Sequence, residues 1–310
     1  MSLRPTRRGA LFGGLCLCCL PTLGRSAGAF AMEEVGPGIF VRSAPHAEAT
    51  SENNDAIANI GFIIGRDGVL VTESGGSLAD GQWLRGEIAK RTNKPIRHVV
   101  LTHVHPDHCF GAAAFAADKP NFVGHHVLRS ALDARGEYYR KRLEDILGAD
   151  KAGSVVYPTQ EVTERAEIDL GDRRLTLTAH GTAHTNCDLS MLDSRTGLIF
   201  PADLLFVNRI PSLDGSLLGW LKEAETLKQM GATRAVPGHG PASVELAPAL
   251  AELTRYLTTL RDETRKAIAA DVPIEKAVQM VARSERDHWV LFDTYNGRNV
   301  TQAYKELEWE

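Results

Sequence analysis

Cysteine is scarce in this chain of 310 residues: there are five, and three of them, Cys16, Cys18 and Cys19, fall within the first twenty positions. Only Cys109 and Cys187 remain beyond that segment. An oxidising compartment would permit a disulfide between them, but bond geometry is demanding, and two small buried thiols are the expectation. No basic tract stands out, so nucleic acid is not expected as a partner. No apolar run reaches the roughly 20 residues needed to cross a bilayer. Internal repeats and low-complexity stretches are absent. No Ser-His-Asp or Cys-His arrangement suggests nucleophilic catalysis, and the pair Gly75-Gly76 lacks the pattern of a phosphate-binding loop. What remains is a globular composition, 43% hydrophobic and 24% charged, long enough for one or two domains.

The first residues read as a targeting segment. Arg7-Arg8 is a twin-arginine start, Ala10 to Leu23 is short and apolar, and Ala27-Gly28-Ala29 or Ala29-Phe30-Ala31 offers a small-residue cleavage site. Residues 1–31 are therefore expected to be a signal peptide, removed on export to the periplasm, with no stable membrane insertion afterwards. That segment holds four arginines and no acids, so the net charge of −4 becomes −8 without it (31 basic residues less 39 acidic).

The densest chemistry lies in Leu101-Thr-His-Val-His-Pro-Asp-His-Cys109. It places His103, His105, Asp107 and His108 within six residues. In an extended loop, residues two apart point the same way, so His103 and His105 can grip one cation while Asp107 and His108 turn towards another. Imidazole nitrogen and carboxylate oxygen suit borderline divalent ions, zinc above all, and also iron or manganese. Ile96 to Leu101 reads as a buried strand and Gly111 to Ala117 as a helix, a scaffold that suits such a site. Three further polar residues each follow a short apolar strand: His184 after Arg174–His180, Asp203 after Gly197–Phe200, and His239 after Thr233–Pro237.

These motifs, His103-x-His105-x-Asp107-His108 with His184, Asp203 and His239, resemble those of the metallo-β-lactamase-fold hydrolases, over roughly Val35 to Gly240. The resemblance implies two zinc ions per chain. His103, His105 and His184 would hold the first, Asp107, His108 and His239 the second, and Asp203 would bridge them as in sites of the glyoxalase II type. It implies an α/β (α+β) fold, an αββα sandwich of two sheets flanked by helices. A water shared by two such ions has its pKa lowered from about 15.7 towards 7. It would attack a small ester, thioester, lactone or amide, with Asp107 holding it in line. Many true β-lactamases lack the bridging carboxylate, so β-lactamase activity is an alternative rather than the expectation. Iron-dependent persulfide chemistry and a metal-binding relay protein without turnover are further alternatives. The segment Asp203 to Trp220 is similar to one in the periplasmic quinoprotein relay system zinc metallohydrolases.

Residues 32–245 are thus expected to form the catalytic domain and 246–310 a helical extension packed on it. Oligomeric state is not legible. Glu73, at a strand end, could orient a ligating imidazole, and Asp188 faces the same choice. Asn208 and Arg209, following Asp203 at the cleft rim, are the candidates for gripping a polar part of a small-molecule substrate, in a loop whose Gly215 and Gly219 read as flexible. Either His125 or His126 could face the cleft, although a surface role is the expectation. Trp289, Phe292 and Tyr295 read as packing residues.

Overall fold

The computed structural model describes residues 31–310, so the expected signal segment, all but its last residue, lies outside the described residues. Its seven-stranded sheet runs in chain order: β1 (Glu33–Gly36), β2 (Ile39–Arg42), β3 (Ile60–Ile64), β4 (Val69–Glu73), β5 (Ile96–Leu101), β6 (Asn121–His125) and β7 (Gln160–Val162). The first four pair antiparallel, and β4 to β7 are parallel. A six-stranded sheet follows, with β8 (Arg165–Asp169), β9 (Arg174–Ala179), β10 (Leu189–Asp193), β11 (Leu198–Phe206), β12 (Arg234–His239) and β13 (Val244–Glu245) as neighbours in that order.

Alternation along the strands explains the layering. Val69 and Val71 face outward from the first sheet, while Leu70 between them faces the second sheet; Val99 and Leu101 alternate with Val100 in the same way. Strands covered on both faces read as continuous apolar runs. The inner layer joins Ile39, Leu70 and Val100 to Leu175, Met191 and Phe200. Helices α1 (Leu78–Ala89), α2 (Pro106–Cys109), α3 (Leu128–Leu147) and α4 (Ala149–Ala152) belong to the first sheet's half. On the second sheet lie α5 (Leu217–Gln229), α6 (Leu246–Ala269), α7 (Ile274–Met280) and α8 (Phe292–Leu307), which bury Trp220, Leu250, Tyr256 and Val300 against Ile199 and Leu205. The result is two sheets flanked by helices, as the sequence implied.

Two elements differ from the sequence reading, the stretch after α2 and strand β11. The stretch after α2 is a 3₁₀ helix, Phe110–Asp118, rather than an α-helix. Helix α3 spans Leu128–Leu147, and Gly136 within it packs against Val155. Strand β11 continues past Pro201 to Phe206. Beyond Phe200 it pairs only with β12, so the missing proline N–H removes nothing from the ladder.

Candidate metal centre

The ligand-type residues meet at one edge of the sandwich. His103 and His105 leave the end of β5, and Asp107 and His108 sit on α2, where Pro106 occupies the first turn. His184 lies between β9 and β10, and His239 is the last residue of β12. Asp203 is not in a loop after its strand, as expected, but inside β11. There Ala202 takes a left-handed φ of 49° and the β12 register shifts on both sides. A β-bulge of this kind re-aims a side chain. Gly238 leaves the room: a Cβ there would stand 2.0 Å from Asp203 Oδ1.

Two groups of donor atoms result, each within 4.8 Å: His103, His105, His184 and Asp203, then Asp107, His108 and His239. In the first, His184 Nε2 lies 2.9 Å from His105 Nδ1 and 3.3 Å from Asp203 Oδ2. In the second, His239 Nε2 lies 3.3 Å from Asp107 Oδ2. Asp203 reaches both groups, with Oδ1 at 3.1 Å from His108 Nε2 and Oδ2 at 3.5 Å from His239 Nε2.

The outward nitrogens have their own partners. His103 Nδ1 lies 3.1 Å from Thr102 Oγ1, and that hydroxyl donates to Glu73 Oε1 at 2.8 Å. The same Glu73 oxygen is 3.5 Å from His108 Nδ1. His184 Nδ1 donates to the Ser212 carbonyl at 2.6 Å, and His105 Nε2 lies 3.3 Å from Asp214 Oδ2. His239 Nδ1 has the Ile57 carbonyl at 2.9 Å. Such contacts fix tautomer and ring orientation. Glu73 thus lies beside His108 directly and beside His103 through the Thr102 hydroxyl. Asp188 does not touch a ligand ring: it accepts from the Thr185 N–H and hydroxyl and so braces the loop carrying His184.

Charge within the cluster is uneven. Burial holds the His103 imidazole well below its ordinary range and lowers His184 to about 3. Burial also pulls His108 down, but Asp203, Asp107 and Glu73 outweigh it and hold that group well above the ordinary range. Burial would raise the Asp203 carboxyl; the neighbouring His108 and His239 hold it well below.

A cavity of about 500 Å³ opens over Asp107, Asp203, His105 and His239. Helix α3 supplies Tyr139, Arg142, Leu143 and Ile146, and helix α8 supplies Tyr295, Arg298, Thr301 and Gln302. Tyr295, expected to be mere packing, is thus a wall of the cleft, whereas Trp289 and Phe292 are core. Arg209 also lines the cavity and is 4% exposed, its NH2 donating to Tyr295 Oη at 3.0 Å. Asn208 does not: it is exposed beside a separate recess near His288 and Trp289, turned away by its left-handed φ of 64°. His125 is buried with Nε2 near the His180 carbonyl, and neither it nor His126 lines the cleft. Cys109 and Cys187 are free and buried. Sequence reading missed Asp214, Arg135 and the α3 and α8 walls. Asp214 pairs with both His105 and Arg135; its place in the segment following Asp203 was the one available signal.

Gly215 and Gly219 are not hinges. A Cβ on Gly219 would stand 1.9 Å from the Thr182 carbonyl oxygen, and one on Gly215 2.4 Å from that of Ala183. The two loops pack backbone to backbone, which positions His184.

The donor set fits metal ions. His103 Nε2, His108 Nε2 and Asp203 Oδ1 are buried with no hydrogen-bond partner, a costly arrangement unless a cation takes their lone pairs. Imidazole and carboxylate together suit a borderline divalent ion.

The family model of the metallo-beta-lactamase superfamily matches residues 54–239, more than half of the chain. The chain belongs to that superfamily. Among solved structures it is similar to a metallo-beta-lactamase from Pontibacter korlensis, with TM-score 0.60 and 15% identity, covering 74% of this chain and 99% of that one. It is also similar to the stereoselective inverting sec-alkylsulfatase Pisa1 from Pseudomonas sp., with TM-score 0.70 and 13% identity, covering 90% of this chain and 50% of that one. A curated relative, the linear primary-alkylsulfatase of Pseudomonas sp. (strain ATCC 19151), is 34% identical over 53 residues, which is 17% of this chain and 10% of the relative. The chain thus spans about half the sec-alkylsulfatase structure, and the match covers about a tenth of the linear primary-alkylsulfatase.

Proposed function

We propose that the chain is a binuclear zinc hydrolase of small ester-type substrates. His103, His105 and His184 would hold one ion, Asp107, His108 and His239 the other, with Asp203 shared. The observation that carries this is the orientation of the five imidazoles: each turns one nitrogen outward towards a protein oxygen and the other inward to the space between Asp107 and Asp203, where His103 Nε2, His108 Nε2 and Asp203 Oδ1 lack a hydrogen-bond partner. Bound there, such ions lower the pKa of water and polarise the bond to be cleaved. The chain's own residues do the rest. Asp107, at the cavity floor, orients the attacking water. Glu73, Asp214 and the carbonyls of Ser212 and Ile57 keep the rings in place. Helices α3 and α8 wall the substrate space. An exported, periplasmic location belongs to this reading and rests on Arg7-Arg8 with the short apolar segment after it.

A sulfate ester is a second candidate bond. The likeness to alkylsulfatases favours it, as do three guanidinium groups, Arg142, Arg209 and Arg298, around one cavity that also has apolar Leu143, Ile146 and Leu213. Among the described residues Arg142 and Arg298 form no ion pair with a carboxylate, so both are available to an anion. The test is a panel of chromogenic ester, thioester, lactone, β-lactam and alkyl sulfate reporters on zinc-loaded and iron-loaded protein. Arg142→Gln with Arg298→Gln should raise KM for anionic reporters and leave kcat nearly intact, as loss of uniform binding does. Turnover confined to the iron form would overturn the zinc assignment, and no turnover of any reporter by either form would overturn the hydrolase reading for this substrate class.

A further inference from the structure

His239 differs from the other four imidazoles. The outward nitrogens of His103, His105, His108 and His184 each face an oxygen, whether hydroxyl, carboxylate or carbonyl. His239 Nδ1 faces an acceptor and a donor together: the Ile57 carbonyl at 2.9 Å and Arg209 NH1 at 3.2 Å. A neutral imidazole carries one proton on one nitrogen. With the proton on Nδ1, the ring donates to Ile57 and its Nε2 lone pair is free for an ion. With the proton on Nε2, it donates to Asp107 Oδ2 at 3.3 Å, and Nδ1 accepts from Arg209. His239 can therefore be satisfied on both sides without any ion, at the cost of closing the second position.

We infer that Arg209 makes the position formed by Asp107, His108 and His239 the weaker and exchangeable of the two. This inference rests on the two-ion reading above. Arg209 acts as a positioning residue in two ways: it stabilises the arrangement of His239 that cannot ligate, and its fixed positive charge opposes an incoming cation. The guanidinium is well placed for both. It is 4% exposed, held by Tyr295 Oη, and 5.4 Å from the Tyr295 ring centre, and the nearest carboxylate oxygen, on Glu48, is 3.8 Å away. Among the described residues no such cation meets the first position as closely: Arg135 acts on His105 only through the carboxylate of Asp214. The protein would then hold one ion firmly and fill the second as supply allows.

Stepwise zinc binding to the chelator-treated full chain, read by competition with a chromophoric chelator and by native mass spectrometry, tests this. Two dissociation constants at least tenfold apart are expected for the unsubstituted protein. Arg209→Met should tighten the weaker one about 10-fold or more, the size typical of changes just outside a ligand shell, and leave the tighter one unchanged. Equal constants in the unsubstituted protein, or an unchanged or weaker second constant in a folded Arg209→Met, would overturn the inference. The first of these outcomes decides even where the variant does not fold. Failure of the two-ion reading looks different: one ion at saturation, with His239→Ala unchanged.

Discussion

Gly219→Ala isolates the packing that sets His184. The new Cβ would lie 1.9 Å from the Thr182 carbonyl oxygen, where ordinary contact begins at 3.4 Å, so something must move by 1.5 Å (3.4 − 1.9). Neither side gives way easily. Gly219 donates to Ser216 Oγ in the first turn of α5, and Glu306 from α8 accepts from that hydroxyl and from the Leu217 N–H. Thr182 stands two residues before His184 in a loop that Asp188 braces. The clash should therefore be relieved by displacement of the His184 loop. Overpacking of this kind costs about 1–3 kcal/mol, and a shift of about 1 Å in a catalytic group can cost about 100-fold in rate. The expected result is a folded protein, less stable, with hydrolysis down about 100-fold and the tighter zinc constant weakened at least tenfold. Gly86→Ala is the control. It lies in the middle of α1 with nothing within 4 Å of its would-be Cβ, and should gain about 0.5–1 kcal/mol from helix propensity. Thermal melts and chelator competition on both variants suffice. A Gly219→Ala protein that melts and binds zinc like the unsubstituted chain would refute the reasoning.

Two further outcomes follow from the cluster. Asp203→Ala should lower turnover at least tenfold and cost an ion, because one carboxylate spans both groups; full turnover with both ions retained would make Asp203 a strand residue only. Zinc uptake should release protons unevenly at pH 7.5. In ion-free protein the carboxylates of Asp203, Asp107 and Glu73 raise His108 well above the ordinary range, so filling its position should release more protons than filling the first. His103 and His184 are already neutral, their folded pKa values lying below 6.5, and release none. Calorimetry in two buffers of different ionisation enthalpy separates the steps, and equal release in both would contradict this charge assignment.

The candidate ligands were legible because their chemistry is local. His103, His105, Asp107 and His108 are close in sequence, and the apolar runs before His184 and His239 announce strand ends. Asp203 was found as a residue but not in its setting, because Pro201 reads as a strand end and only the pairing pattern shows that β11 has no partner on that side. Glycine misled for a related reason. Gly215 and Gly219 look flexible until the loop facing them is known, and that loop is some thirty residues earlier in the chain. The walls of the cleft were the least legible. Tyr295 and Arg298 lie on α8, more than fifty residues beyond the last ligand, and only the docking of α8 on the second sheet's half brings them over the site. Asn208 and Arg209 are neighbours that face opposite ways, a divergence set by the left-handed backbone at Asn208.

Anomalous diffraction at the zinc edge from crystals of zinc-replete protein tests the central claim most directly. The account predicts two zinc peaks per chain, one within about 2.0–2.2 Å of His103 Nε2, His105 Nδ1 and His184 Nε2, the other within the same reach of Asp107, His108 and His239, with Asp203 touching both. A single peak at saturating zinc, or peaks away from these atoms, would contradict it.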